Sequence, residues 1–371
     1  MFRKATKTSE KASPISITDT APCEKSLRVR VAPETITPVR QAVVGEFQRQ
    51  AALPGFRKGK APSDLVERQY AKEIQEETLH RITKQTFEQA TTEHQLKPVG
   101  PFVITKAEFT EASGLALEAT VEVEPSFALA AYKGVPVARP SADVSLQDIE
   151  QALTRLQESM AQMVPAKEGE AKERRVPAMD DELAKDLGYD TLARLREHIE
   201  AKLREQKQSS QAQAMEAQLS EALLGRHAFE VPKRLIAHQT DRLTRDFKVR
   251  LLMGGTPEEK LEEEITKFAN ELRTSAERHV KLGFILDRIA AQESVTVTQD
   301  ELVQRLWQLA QRWKKDPTEV RRIFDAQGLW PSVMSAIRQE KTVAFLLSVA
   351  AVENGKDNAV SSAESLRRGG Q

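Results

Sequence analysis

Gly55-Phe56-Arg57-Lys58-Gly59-Lys60 sets a lysine directly after the second of two glycines. A phosphate-binding loop uses that combination to wrap backbone amides round an anion and add a cation to it. Such a loop needs four residues between its glycines and a hydroxyl after the lysine. Here three residues intervene, Ala61 stands where the hydroxyl should be, and the segment joins two helix-like stretches instead of a strand and a helix. The pattern argues against nucleotide binding. A glycine-x-x-x-glycine contact between membrane helices fails as well, because the setting is charged. A docking tip fits the composition: Pro54 and Pro62 stiffen the ends, Gly55 and Gly59 permit backbone angles other residues avoid, and Phe56 is offered among Arg57, Lys58 and Lys60. Between Glu46 and Asp64 the only charged residues are Arg49, Arg57, Lys58 and Lys60, a local excess of four cations suited to phosphate backbones or acidic protein surfaces. The plainer alternative is a solvated loop whose Phe56 folds back onto the core.

Other chemistry finds little support. The six histidines, His80, His94, His198, His227, His238 and His279, contain no close ligand pair and read as surface or boundary residues. No metal site and no cofactor is expected. The single cysteine, Cys23, excludes an internal disulfide, fits a reducing compartment, and sits near a leader expected to be flexible, with no recognisable base beside it. It reads as a spectator. The chain has 371 residues, with 55 basic against 55 acidic, so any electrostatic docking must be local. No window is apolar enough to span a bilayer, and the longest apolar patch, Val343 to Val352, is interrupted by Ser348. Neither a signal peptide nor a membrane partner is expected, which places the protein in the cytoplasm.

Charged residues at 30% against aromatics at 5% favour long amphipathic helices. Alternation in Leu27–Val31, Pro101–Thr105 and Leu115–Pro125 predicts strands, and the apolar spacing predicts helices over Thr35–Gln50 and Ser63–His94, the second capped by Ser63. The result is a small α+β domain over 23–125, behind a flexible leader at 1–22. Gly134, Pro136 and Pro140 make 126–144 an extended linker. Ser145 with Asp148 starts a helix that belongs with the C-terminal part over 145–164. Pro165 to Pro177 is polar and should be a solvated connector. From 178 to 354 nearly everything is helical by period, with a capping box at Thr298 and Glu301, a start at Asp316-Pro317, and a turn at Gly254-Gly255. Residues 355–371 read as a disordered tail.

Gly55-Phe56-Arg57-x-Gly59-x-x-Pro62 resembles the ribosome-docking signature of trigger factor, the bacterial chaperone that meets nascent chains at the tunnel exit. Arg68-Gln-Tyr70, the strand Val121–Pro125, Phe229-Glu-Val-Pro232 and Lys314–Val320 fall in the order that family has them, so the likeness covers about Cys23 to Glu353. The resemblance implies that Phe56, Arg57 and Lys58 contact a ribosomal protein and neighbouring ribosomal RNA. It also implies an α+β domain followed by an all-α domain with arm-like extensions, forming an ATP-independent cradle for unfolded nascent chains. Free molecules of such a protein could pair as a homodimer.

One departure is large. Most trigger factors insert an FKBP-type prolyl isomerase domain after the helix that here ends near Met163, where this chain has only 165–177. A domain with its own core needs roughly 50 residues. No isomerase activity is expected, although the family commonly carries it. Isomerase activity and a ribosome-independent holdase are the alternatives to be tested. Clients would meet apolar surfaces in the helical half, where Met160, Met163, Trp307, Trp313 and Met334 are the candidates. Each could equally fill a helix interface.

Overall fold

The computed structural model describes residues 15–110, 113–164 and 173–354. Strands β1 (Ile15–Ala21) and β2 (Glu24–Val31) form an antiparallel hairpin, followed by helices α1 (Pro33–Gln50), α2 (Ser63–Gln69) and α3 (Ala71–Glu93), then strands β3 (Val103–Thr110) and β4 (Gly114–Glu122). The sheet runs β1-β2-β4-β3 and every pairing is antiparallel. Period-2 alternation decides what it buries. Leu27 and Val29 of β2 lie opposite Ala119 and Leu117 of β4, and this face packs on Ile36 of α1 and on Ile82 and Ala90 of α3. Burying each of these leucine, valine and isoleucine side chains stabilises the fold by about 1.5–3 kcal/mol. Arg28 and Glu118 take the other face and pair at 3.0 Å.

The structure corrects several sequence expectations here. The leader contributes an edge strand from Ile15, whose side chain enters the core. The single helix expected over Ser63–His94 is two helices that break at Tyr70, where the backbone turns to φ −115°, ψ 30°. Ser63 caps neither: Pro62 is the N-cap and no side chain caps it. The strand read as ending at Thr105 runs on to Thr110.

Close contacts divide the chain into two compact units, Met1–Ala128 with Ala228–Phe284 and Leu129–His227 with Ile285–Gln371. Residues 228–284 therefore group with the α+β part, a division that the linear order of the sequence does not mark. Within the first unit, the buried Glu122 carboxylate accepts the Arg234 backbone N–H at 2.7 Å, in the first turn of α7 (Lys233–Met253). Negative charge at a helix N-terminus is favoured by the unpaired amides there. The Arg234 guanidinium donates to Thr120 Oγ1 at 2.7 Å, and Phe127 stacks on Phe229 with centroids 4.0 Å apart. Cys23 lies in the β1–β2 turn and not in a flexible terminus: it is buried, its thiol donates to the Glu230 carbonyl at 3.2 Å, and burial, with Glu230 and Glu122, pushes its pKa up. That setting keeps it a thiol. α7 turns through Gly254 and Gly255 into α8 (Glu258–Gln292), and Phe247 meets Phe268 edge to face across the pair at 5.3 Å.

In the second unit, β5 (Pro136–Arg139) precedes α4 (Leu146–Ser159), which leads into an antiparallel pair, β6 (Gln162–Val164) with β7 (Glu173–Arg175). The connector expected over 165–177 thus contains β7, while 165–172 lie outside the described residues. α5 (Asp181–Asp186), α6 (Leu192–Arg226), α9 (Gln299–Trp313), α10 (Pro317–Gln327), α11 (Trp330–Ser348) and β8 (Ala351–Asn354) follow, and β8 pairs in parallel with β5. The C-terminal part is helical with these two small strand pairs added. The stretch expected as an extended linker is strapped along α6. Lys207 Nζ donates to the Asp143 carbonyl at 2.6 Å, Gln211 bonds the Pro140 carbonyl, and the Gln218 amide meets both the N–H and the C=O of Ala138 at 2.8 and 3.0 Å. Arg226 adds a bond to the Ala131 carbonyl at 2.7 Å. Side chains of α6 thus satisfy backbone groups that would otherwise need a neighbouring strand.

Both predicted capping boxes form, at Ser145 with Asp148 and at Thr298 with Glu301, and Asp316 caps α10 through the Thr318 N–H at 2.8 Å. Lys207 also bonds Asp148 at 2.7 Å. Together with Ser145 it holds that carboxyl well below the usual carboxylate range. The fold favours the anion, so this contribution is present above the ordinary value near 4 and is lost as pH falls through the lowered one. Ser145→Ala should cost roughly 1 kcal/mol, read as an earlier urea midpoint for helical circular dichroism. An unchanged midpoint would contradict the cap.

Candidate functional site

α1 ends on Ala51, whose N–H reaches the Phe47 carbonyl at 2.7 Å, and α2 starts after Pro62. Ala51 and Ala61 are the two buried feet of the intervening tip, in a cluster with Val43, Val44, Val66 and Ile74 that Phe47, Leu53 and Tyr70 border. Two bonds tie the feet together. Gln48 Nε2 donates to the Ala61 carbonyl at 2.7 Å, and the Gly59 N–H reaches the Ala51 carbonyl at 3.4 Å.

The tip itself is two β-turns in series. The Phe56 N–H bonds the Leu53 carbonyl at 3.1 Å round Pro54-Gly55, and the Lys60 N–H bonds the Arg57 carbonyl at 2.9 Å round Lys58-Gly59. In each turn the third residue is a glycine with positive φ, +87° at Gly55 and +78° at Gly59, the requirement of a type II turn. Alanine at either position should lower stability by about 1–2 kcal/mol from the left-handed backbone alone. Gly59→Ala should be the costlier in urea denaturation, since its Cβ would sit 3.2 Å from the Arg49 carbonyl oxygen, whereas Gly55 has open space.

Phe56 is 42% exposed, which removes the folded-back alternative. Arg57, Lys58 and Lys60 are exposed too, and none makes an ion pair among the described residues. Pro62 holds the far end as the N-cap of α2. The arrangement offers one apolar ring beside three uncompensated cations on a backbone fixed by two hydrogen-bonded turns.

The candidates for client binding are spread over four elements, α4, β6, α9 and α11. Met160 is the half-buried C-cap of α4, and Met163 lies in β6. Trp313 is 44% exposed yet packs edge-on against Phe324 of the α9–α10 core, with centroids 6.0 Å apart. Trp307 is 55% exposed and stands six residues earlier, about 120° round the same helix. Met334 is exposed on α11. Sequence reasoning missed Val303, exposed one turn before Trp307, and the exposed end of the α7–α8 hairpin with Val249, Leu252, Met253 and Phe268. Apolar periodicity gives the faces of a helix but not which of them tertiary packing leaves open.

His227 is also not at the surface. It is buried, its Nδ1 lies 2.7 Å from the Leu223 carbonyl, and its Nε2 accepts the Ala130 N–H at 3.0 Å, which fixes the Nδ1–H tautomer in a structural role. No group of three or more His, Cys, Asp or Glu residues could hold a metal ion among the described residues. No helix among them is long and apolar enough to cross a membrane.

Residues 14–156 match the family model described as bacterial trigger factor protein, and residues 191–348 match the one described as bacterial trigger factor protein C-terminus. The chain belongs to the trigger factor family. Membership supports a chaperone role in protein folding. Among curated trigger factors, that of Anaeromyxobacter sp. (strain Fw109-5) is 24% identical, with 91% of this chain and 99% of the relative covered. The trigger factor of Carboxydothermus hydrogenoformans is also 24% identical, over 89% of this chain and 96% of its own. The first alignment runs over 426 positions, more than the 371 residues here, so that trigger factor carries residues this chain does not have. The two family matches leave only residues 157–190 between them, too few for a further domain with its own core. A solved trigger factor chaperone is similar over 90% of this chain and 99% of its own, at 18% identity and a TM-score of 0.48.

Proposed function

We propose that this trigger factor is an ATP-independent chaperone of the cytoplasm that docks on the ribosome beside the polypeptide exit and holds nascent chains. The observation that carries the reading is the tip: an exposed Phe56 flanked by unpaired Arg57, Lys58 and Lys60 on a backbone locked by Gly55 and Gly59. Cations supply salt-sensitive attraction to ribosomal RNA phosphates and acidic side chains, and the ring supplies an apolar anchor on a ribosomal protein. Clients would meet scattered apolar patches, Val303 with Trp307 on α9 and the end of the α7–α8 hairpin around Met253. Such contacts hold an unfolded segment while its own apolar groups are exposed. They let go when folding buries those groups, so release needs no hydrolysis.

The test is co-sedimentation of purified ribosomes with the wild type and with a variant carrying alanine at 56, 57 and 58; equal pelleting of the two would sink the docking assignment. Because only residues 157–190 separate the family matches, the protein should not accelerate cis–trans exchange of a proline tetrapeptide above the uncatalysed rate. A catalysed rate that co-purifies with the chain through two chromatographic steps would overturn this expectation.

A further inference from the structure

We propose that Arg49 is a fourth cation of the docking surface, seated to bind a phosphate of RNA; the proposal rests on the ribosome-docking reading above. Arg49 lies in the last turn of α1, outside the glycine-bounded segment, yet the second turn of the tip closes on its main chain. The Gly59 amide bonds the Ala51 carbonyl two residues further on, and a Cβ placed on Gly59 would lie 3.2 Å from the Arg49 carbonyl oxygen. The side chain is exposed, and its Nε donates to the Gly45 carbonyl at 3.2 Å, one turn back on the same helix. That bond fixes the base of the guanidinium and leaves its two terminal nitrogens to a ligand.

An acidic neighbour could have neutralised it. Glu46 is the candidate, three residues earlier, but Arg81 takes both its oxygens, Nη1 to Oε1 at 2.9 Å and Nη2 to Oε2 at 2.6 Å. Arg81 is itself held by Glu77 at 2.6 Å, so the hydrogen bonds of Glu46 go to Arg81, and Arg49 acts on that carboxyl only through space, as the last of the influences that lower its pKa. Arg49, Arg57, Lys58 and Lys60 are the only charged residues between Glu46 and Asp64. Such an acid-free group of cations complements a phosphate backbone. Arg49 is flanked by the polar Gln48 and Gln50, with the aromatic anchor carried separately by Phe56. A guanidinium on a helix also differs from the lysines of the tip: it can present a planar fork to two oxygens of one phosphate.

The experiment measures ribosome binding for the wild type, Arg49→Gln, Arg49→Lys and the triple alanine variant from 50 to 300 mM salt (on the order of one decade), with urea unfolding as a folding control. Arg49→Gln should weaken binding about three- to tenfold at low salt and flatten the plot of log affinity against log salt by about 0.7–0.9. Arg49→Lys should restore the slope and only part of the affinity. An unchanged slope for Arg49→Gln overturns the proposal, even if affinity falls, because the loss would then come from a structural role and not from a cation on phosphate. Full binding by the triple alanine variant would instead overturn the docking reading itself, so the two failures are told apart.

Discussion

Alanine at Phe56, Arg57 and Lys58 together should lower ribosome affinity by about 100-fold or more and leave the fold intact. An aromatic or arginine anchor desolvated at the centre of an interface typically carries about 2 kcal/mol or more, and each 1.4 kcal/mol is tenfold in affinity. Two such anchors with a phosphate-directed lysine therefore reach two orders of magnitude. The fold should not change, because all three side chains are exposed and the turns depend on Pro54, Gly55 and Gly59, with Ala51 and Ala61 as their buried feet. Pelleting at near-physiological salt checks the first half, and an unchanged urea midpoint checks the second. Wild-type pelleting by the variant would mean that docking uses another surface.

Gly114→Ala should instead weaken the fold and the docking together. Gly114 opens β4 at φ +79°, and a Cβ there would lie 2.1 Å from the Val31 carbonyl oxygen and 3.2 Å from Pro33 Cδ. The first clash is with backbone, and Val31 is fixed by its pairing with Leu115, so no rotamer change relieves it. The left-handed backbone costs about 1–2 kcal/mol for an L-residue. The forced separation of β2 from β4 brings the total to roughly 3–4 kcal/mol, at the high end of single substitutions. Leu115 and Leu117 belong to the core on which α1 packs, and α1 carries the tip, so ribosome pelleting should fall along with the urea midpoint. A Gly114→Ala protein as stable as wild type would contradict the close approach of the two strands.

What could be read from the sequence depended on whether the signal was local. The tip is legible because its geometry is written in its own residues: proline and glycine at fixed turn positions, with cations between them. The capping boxes at Ser145 and Thr298 are legible for the same reason, since donor and acceptor lie three residues apart. The break at Tyr70 was not, because no proline or glycine marks it and the apolar stripe continues across it. β1 hid in a leader whose only core-directed signal is Ile15 and Ile17. The contact of Arg234 with Glu122 joins residues 112 apart in the chain, and nothing near either one announces the other. Exposure of Val303 and Met253 is likewise a tertiary outcome. Both sit at positions an amphipathic pattern would assign to a face without saying whether that face is covered.

The small hairpin between α4 and α5 bears on how such a chain can vary by whole modules. Val164 and Glu173 are paired across β6 and β7, and antiparallel partners keep their Cα atoms about 4.5–5.5 Å apart. Chain that departs after Val164 therefore returns almost where it left. The two strands bring the chain back to one place whatever length of chain joins Val164 to Glu173. Loss or gain of a segment at this point asks for no compensating change in α4, α5 or the strap on α6, and a foreign domain grafted there would meet the same two adjacent ends.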